Sequence, residues 1–202
     1  LRPGAEKVER STQGSTPLGQ RAVIGERSFR WTHNASLALS AGRLLQESVI
    51  VSGHGGDLAV AVAAAVGART VTLTNSTTAI TANQYAGGYL WINDVDGEGH
   101  TYKIKSHPAE STGSGSIVIT LEDDDTIRVA LTTSSQAGLR VSPYEDVVVN
   151  PTTATGVPVG VTPLAVTADY YFWAQTWGPA AVLTNGTIIV GKTVTPGAST
   201  AG

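Results

Sequence analysis

From residue 88 onward the chain is a succession of short apolar runs interrupted by Gly, Pro, Asn and Asp, and this rhythm limits the folds open to it. The clearest case is "GYLWIND", "VDGEG", "HTYKIKS", two alternating runs around an Asp-Gly turn, which is the signature of a β-hairpin. On the first run Tyr89, Trp91 and Asn93 share one face and Leu90 and Ile92 the other; on the second, Tyr102 and Ile104 oppose Thr101, Lys103 and Lys105. "IVITL", "TIRVAL", "DVVVN", "VPVGVTPLAV", "YYFWAQTW", "AAVL" and "TIIVG" follow at roughly ten-residue spacing, as in β-sandwiches and barrels. Pro158 and Pro163 direct their segment to a sheet edge or a bulge.

The first half of the chain reads less cleanly. "RSFRW" at 27–31 can open the first strand, and "SAG" at 40–42 reads as a turn leading into another. The alanines of "DLAVAVAAAVGARTVTLT" favour helix, but Leu58, Val60 and Val62 alternate, as do Val71 and Leu73, so two strands around a turn at Gly67 are expected. Residues 1–28 are polar, rich in Gly, Ser, Thr and Pro, and without a sustained period; they read as an extended arm. The expected architecture is therefore all-β: an extended arm over 1–28 and a β-sandwich or barrel-like body over 29–202. If that body divides, 29–110 and 111–202 are its two β subdomains. A chain of 202 residues is long enough for either arrangement.

Charge is sparse and uneven. Charged residues are 14% of the chain, well below the usual quarter. Residues 1–43 carry seven Arg or Lys against three Glu, a balance of +4, and the remainder carries −7. A basic arm on an acidic body fits docking onto a negatively charged surface, and equally fits a solvated tail. Without cysteine there is neither a disulfide framework nor a thiolate metal site. The longest apolar run, Leu58 to Val66, is too short for a membrane-spanning helix, and the polar N-terminus does not read as a secretory signal. Methionine is absent even at position 1, so a chain that is processed, or that begins within a longer product, is expected.

A search for chemistry finds little. There is no nucleophile elbow and no phosphate-binding loop. His33, His54, His100 and His107 are scattered without ligand spacing and read as surface or turn histidines. "NDVDGEGH" has the oxygens of a calcium loop. Counted from Gly97, however, the two positions that must be acidic hold Ile92 and Lys103, so a turn explains it better. "LEDDDT" reads as a solvated turn. No catalytic residue, metal or cofactor is expected.

The remaining feature is "YYFWAQTWGP" at 170–179, which holds five of the twelve aromatic residues. Alternation puts Tyr171, Trp173, Gln175 and Trp177 on one face and Tyr170, Phe172, Ala174 and Thr176 on the other. Five rings bury about 1,000 Å², more than the ~300–600 Å² patch a typical monomer exposes, so both faces need cover. One face is core; the other meets a second layer, the N-terminal arm or another subunit. With no basic residue between Arg140 and Lys192 the run does not suit a nucleic-acid stacking platform, whereas Asp169 and Gln175 leave a sugar platform open.

"ANQYAGGYLWINDVDGEGHTYKIKSHP" at 82–108 and "SPYEDVVVNPTTATGVPVGVTPLAVTADYYFWAQTWGPAAVLTNGT" at 142–187 together resemble head decoration (cement) proteins of tailed bacteriophages, a similarity spanning about 27–197. The resemblance implies a β-rich, non-enzymatic virion protein on the outer surface of the capsid. Such a protein binds the major capsid protein, often as a homotrimer, without a nucleic-acid or membrane partner, and in some members uses an extended terminal arm. It also implies further strand-forming sequence after "STAG", which this chain lacks. The candidate interface residues are Arg2, Arg10, Arg21 and Arg27 in and beside the arm, with Tyr171, Trp173 and Trp177 on the aromatic strand. The alternative expectation is a phage tail or adhesin-type β domain that binds a host glycan through Trp173 or Trp177.

Overall fold

The computed structural model describes residues 2–75, 78–111, 115–197 and 201. Among these the regular structure is β apart from one 3-10 turn at Ala5–Lys7. The strands in chain order are β1 (Arg21–Ile24), β2 (Arg27–His33), β3 (Leu44–Gln46), β4 (Leu58–Val62), β5 (Thr70–Thr74) and β6 (Tyr89–Asp94). They continue with β7 (Thr101–Ser106), β8 (Ser116–Leu121), β9 (Gln136–Arg140), β10 (Val148–Val149), β11 (Pro158–Val161) and β12 (Tyr171–Trp177). The chain forms two compact units, one from residues 50–142 and the other from the segments on either side of it. A division at 110/111 would separate β7 from β8, which pair through Ile104 and Leu121, so the sequence-based boundary is corrected to an insertion.

The inserted unit is a closed barrel in the order β4-β5-β8-β7-β6-β9, with every neighbouring pair antiparallel. Closure leaves no unpaired edge. Strands β5 to β8 lie in the order 5-8-7-6, a Greek-key path. Alternation decides what fills it: Leu58 and Val60, Val71 and Leu73, Leu90 and Ile92, Tyr102 and Ile104, Ile117 and Ile119, and Ala137 and Leu139 all point inward and are buried. The expected hairpin is present, with Leu90 opposite Tyr102, and β4 and β5 flank Gly67 at φ +86° as read from the sequence.

Two expectations fail in the barrel. "TIRVAL" is not a strand; its Ile127 and Leu131 fill the core from a loop held by the Ala64–Leu131 bridge. The strand lies further on, at β9, where Gly138 is required because a Cβ there would strike the Trp91 ring and the Gly55 carbonyl. His54 and His107, expected as surface or turn histidines, are buried beside Tyr85, His54 from within a turn. His54 Nε2 donates to the Thr78 carbonyl at 3.0 Å, which leaves Nδ1 to accept the Tyr85 hydroxyl at 2.5 Å. His107 Nδ1 donates to the Pro108 carbonyl, and its Nε2 accepts the Tyr85 amide. His107 is thereby held as a neutral imidazole, and both histidines serve as connectors, which satisfies polar groups that would be costly to leave unpaired. Of the loop expected at 111–116, residues 112–114 lie outside those described.

The outer unit is a six-stranded antiparallel sheet in the order β1-β2-β12-β11-β3-β10. Its final strand is central: β12 pairs with β2 from Tyr171–His33 to Gln175–Phe29, then bulges before Trp177. Phe172 and Ala174 pack into a core with Leu39, Leu45, Val147 and Val166. Pro158 sits at an irregularity of the β11–β3 ladder, as its missing N–H requires.

Both ends of the chain differ from the sequence-based reading. Residues 1–28 do not form a free arm: β1 extends the sheet beyond β2, and Arg10 exchanges two 2.8 Å backbone hydrogen bonds with Tyr171. "AAVL" and "TIIVG" are not strands; residues 178–196 run exposed, and the Leu183 amide donates to the Gly42 carbonyl at 2.8 Å. Their β propensity is not realised because no ladder partner is in reach.

Candidate functional site

The β2–β12 ladder places two aromatic pairs on the sheet face opposite the Phe172 core. Trp31 lies across from Trp173 with ring centres 5.0 Å apart, and His33 across from Tyr171 at 4.4 Å. Trp31 also stacks on Tyr171 at 6.2 Å. Phe29 continues the row and carries the Arg27 guanidinium 5.3 Å above its ring. Phe29 and Trp31 are buried, yet neither belongs to the core on the other side.

The N-terminal segment supplies cover on this face. Glu6, itself buried, ion-pairs with Arg27 at 3.3 Å and accepts the Gly4 amide at 2.6 Å. Burial alone would raise the Glu6 carboxyl; the backbone amides of Glu6 and Gly4 and the Arg27 guanidinium outweigh it and hold the group below its ordinary range. Glu9 accepts both the amide and the hydroxyl of Thr167. Between Arg10, on the β11 side of β12, and Arg21, on β1 beyond β2, the chain crosses both strands.

The sequence-predicted interface residues separate accordingly. Tyr171 and Trp173 are half-buried against the same chain's residues. Arg27 is committed to Glu6 and Phe29. Arg2, Arg10 and Arg21 are exposed. Trp177, turned out after the bulge, is 74% exposed. Beyond it, Val182, Leu183, Ile188, Ile189, Val190 and Val194 are all exposed, Val190 almost completely at 99%. The inner side of this segment meets Arg43 and Leu44 around a cavity of about 400 Å³.

At the end of β2 the fold assembles a group that no sequence spacing announces. His33 Nδ1 lies 2.8 Å from Oδ1 of Asp146, 113 residues away along the chain, and 3.0 Å from Oε1 of Glu145. The backbone holds the loop in place, because the His33 amide donates to the Tyr144 carbonyl and the Val147 amide to the His33 carbonyl. Hydrogen bonds to Asp146 and then Glu145 outweigh burial and raise the imidazole to about 10. Burial, with the two carboxylates adding to it, also raises the neighbouring Tyr171 hydroxyl. The only sequence signal was "YED" in a turn, with nothing to name its partner.

Fold and site together define an all-β protein whose outer sheet carries an inserted barrel and whose clearest surface features are an exposed tryptophan and an apolar C-terminal segment. No protein-family model, curated protein or solved structure matches the chain.

Proposed function

We propose that this is a non-enzymatic virion structural protein, a capsid decoration protein. It binds the outer surface of the major capsid protein lattice, stabilises the head, and acts as a homotrimer without nucleic-acid or membrane partners. The observation that carries the reading is the C-terminal segment. Trp177 and the six aliphatic side chains between 182 and 194 stand in water on a single stretch of backbone with few hydrogen-bond partners of its own. An isolated chain gains nothing from that arrangement, whereas a protein seated among neighbouring copies and capsid subunits covers it. The exposed Arg2, Arg10 and Arg21 add positive charge for an acidic lattice surface. The resemblance of 82–108 and 142–187 to phage cement proteins points the same way.

The test mixes the purified protein with expanded, undecorated heads of the phage that encodes it. Co-sedimentation is expected, as is a solution mass three times 20.8 kDa. Replacing Ile188, Ile189 and Val190 together with Ser weakens binding without unfolding the chain. A monomer at high concentration that does not bind the heads refutes the reading. Exposure of Trp177 keeps the glycan-binding alternative open. Glycan-array binding lost in Trp177→Ala at unchanged stability would decide for it.

A further inference from the structure

The His33 group has the composition of a metal site. Its three donors, one imidazole nitrogen and two carboxylate oxygens, lie within 4.8 Å of one another. Two donors each about 2.1 Å from one ion stand about 3.0 Å apart at right angles and about 3.4 Å apart at the tetrahedral angle, and the nitrogen–oxygen separations here are 2.8 and 3.0 Å. A small outward movement of the two carboxylates therefore admits an ion between them and the imidazole. Charge favours a cation here: among the described residues no Lys or Arg pairs with Glu145 or Asp146, so two carboxylates face the imidazole with no permanent positive charge beside them. A dication held by the imidazole and both carboxylates balances them. The side chains of Glu145 and Asp146 are 27% and 54% exposed, so ion and water have access. Calcium asks for six to eight oxygens, whereas an imidazole in the set selects first-row transition ions.

We propose that His33, Glu145 and Asp146 bind a divalent first-row transition ion, which clips the 144–147 loop to the end of β2 and completes its coordination with water. The proposal is independent of capsid binding.

The full chain, freed of metal with EDTA, is titrated with zinc chloride by calorimetry and with cobalt(II) chloride by visible absorption. One ion per chain is expected, together with a rise in melting temperature and a shift of the His33 Nδ1 resonance in ¹⁵N spectra. His33 packs on Tyr171, so His33→Ala puts the fold at risk; Glu145→Gln and Asp146→Asn remove the charge at little change of shape. Each is expected to weaken zinc by roughly tenfold or more, since even outer-sphere partners of a ligand carry that much. No binding at millimolar zinc, binding undiminished in both variants, or weakening in only one of them overturns the three-ligand site.

Discussion

Deleting residues 1–20 tests whether the N-terminal segment is an arm or a layer of the fold. A free arm can be removed without cost to the body. Here the segment lies on a face that holds Phe29 at 0% and Trp31 at 2% exposure. Each ring buries ~150–250 Å², and uncovering about half of each returns ~200 Å² to water. At ~25 cal/mol/Å² that is about 5 kcal/mol, an upper figure because the unfolded chain is already partly compact. The two backbone bonds between Arg10 and Tyr171 and the Glu9 contacts with Thr167 are lost as well. Folded domains are stable by only ~5–15 kcal/mol, so the outer sheet loses much or all of its margin.

Urea unfolding followed by tryptophan fluorescence reads this directly. Trp31, Trp173 and Trp177 belong to the outer unit, and Trp91 alone reports the barrel. With a slope of ~1–3 kcal/mol per molar urea, the outer-unit midpoint falls by about 2–5 M while the Trp91 signal, isolated by substituting the other three with Phe, stays in place. An outer-unit midpoint that does not move on truncation refutes the assignment of these residues as cover.

Phe172→Ala, in a site lined by Leu39, Leu45, Val147 and Val166, lowers outer-unit stability by about 3–5 kcal/mol, whereas Trp177→Ala changes it by no more than about 0.5; paired urea curves check both. Burial holds His107 below its ordinary value of 6.5, so its contribution is fully present above that value and is lost as pH falls below it, when Nε2 must take a proton in place of the Tyr85 amide. The barrel's melting temperature therefore drops between pH 7 and pH 5 and the drop is reduced in His107→Gln; an equal drop in both proteins contradicts the assignment.

What was legible in the sequence is what depends on local alternation. The β6–β7 hairpin and the β4–β5 pair each carry their own inward-facing residues and turn, so period and punctuation suffice. Strand β9 was hidden because "QAGLR" has no β-branched residue and a central glycine, features demanded by the Trp91 ring pressed against it rather than by strand propensity. Strand β1 was hidden for the opposite reason: at the sheet's edge its Arg21 and Val23 face water, so its pattern carries little apolar signal. The C-terminal "TIIVG" shows propensity without a partner. His33, Glu145 and Asp146 meet only because the chain leaves at residue 49 and returns at 143, and no spacing rule spans an insertion of that size.

The nested path also explains why the aromatic run is so concentrated. Strand β12 enters last yet sits between β2 and β11, so the outer sheet stays split until residues 171–177 are in place. A strand that must join two halves by non-local contacts alone needs large buried area per residue, and Phe172 on one face with Tyr171 and Trp173 on the other provide it. Because both faces are used, the amphipathic alternation of an ordinary sheet strand disappears, and "YYFWA" at 170–174 reads as apolar throughout. The bulge after Gln175 then ends the double burial: it turns Trp177 outward, and Gln175 Nε2 donates to the carbonyls of Trp177, Gly178 and Pro179, which closes the strand end. Tyr171 and Trp173 are thus structural side chains of the chain itself, and Trp177 with the residues beyond it is where this strand meets solvent and, in the proposed role, a neighbour.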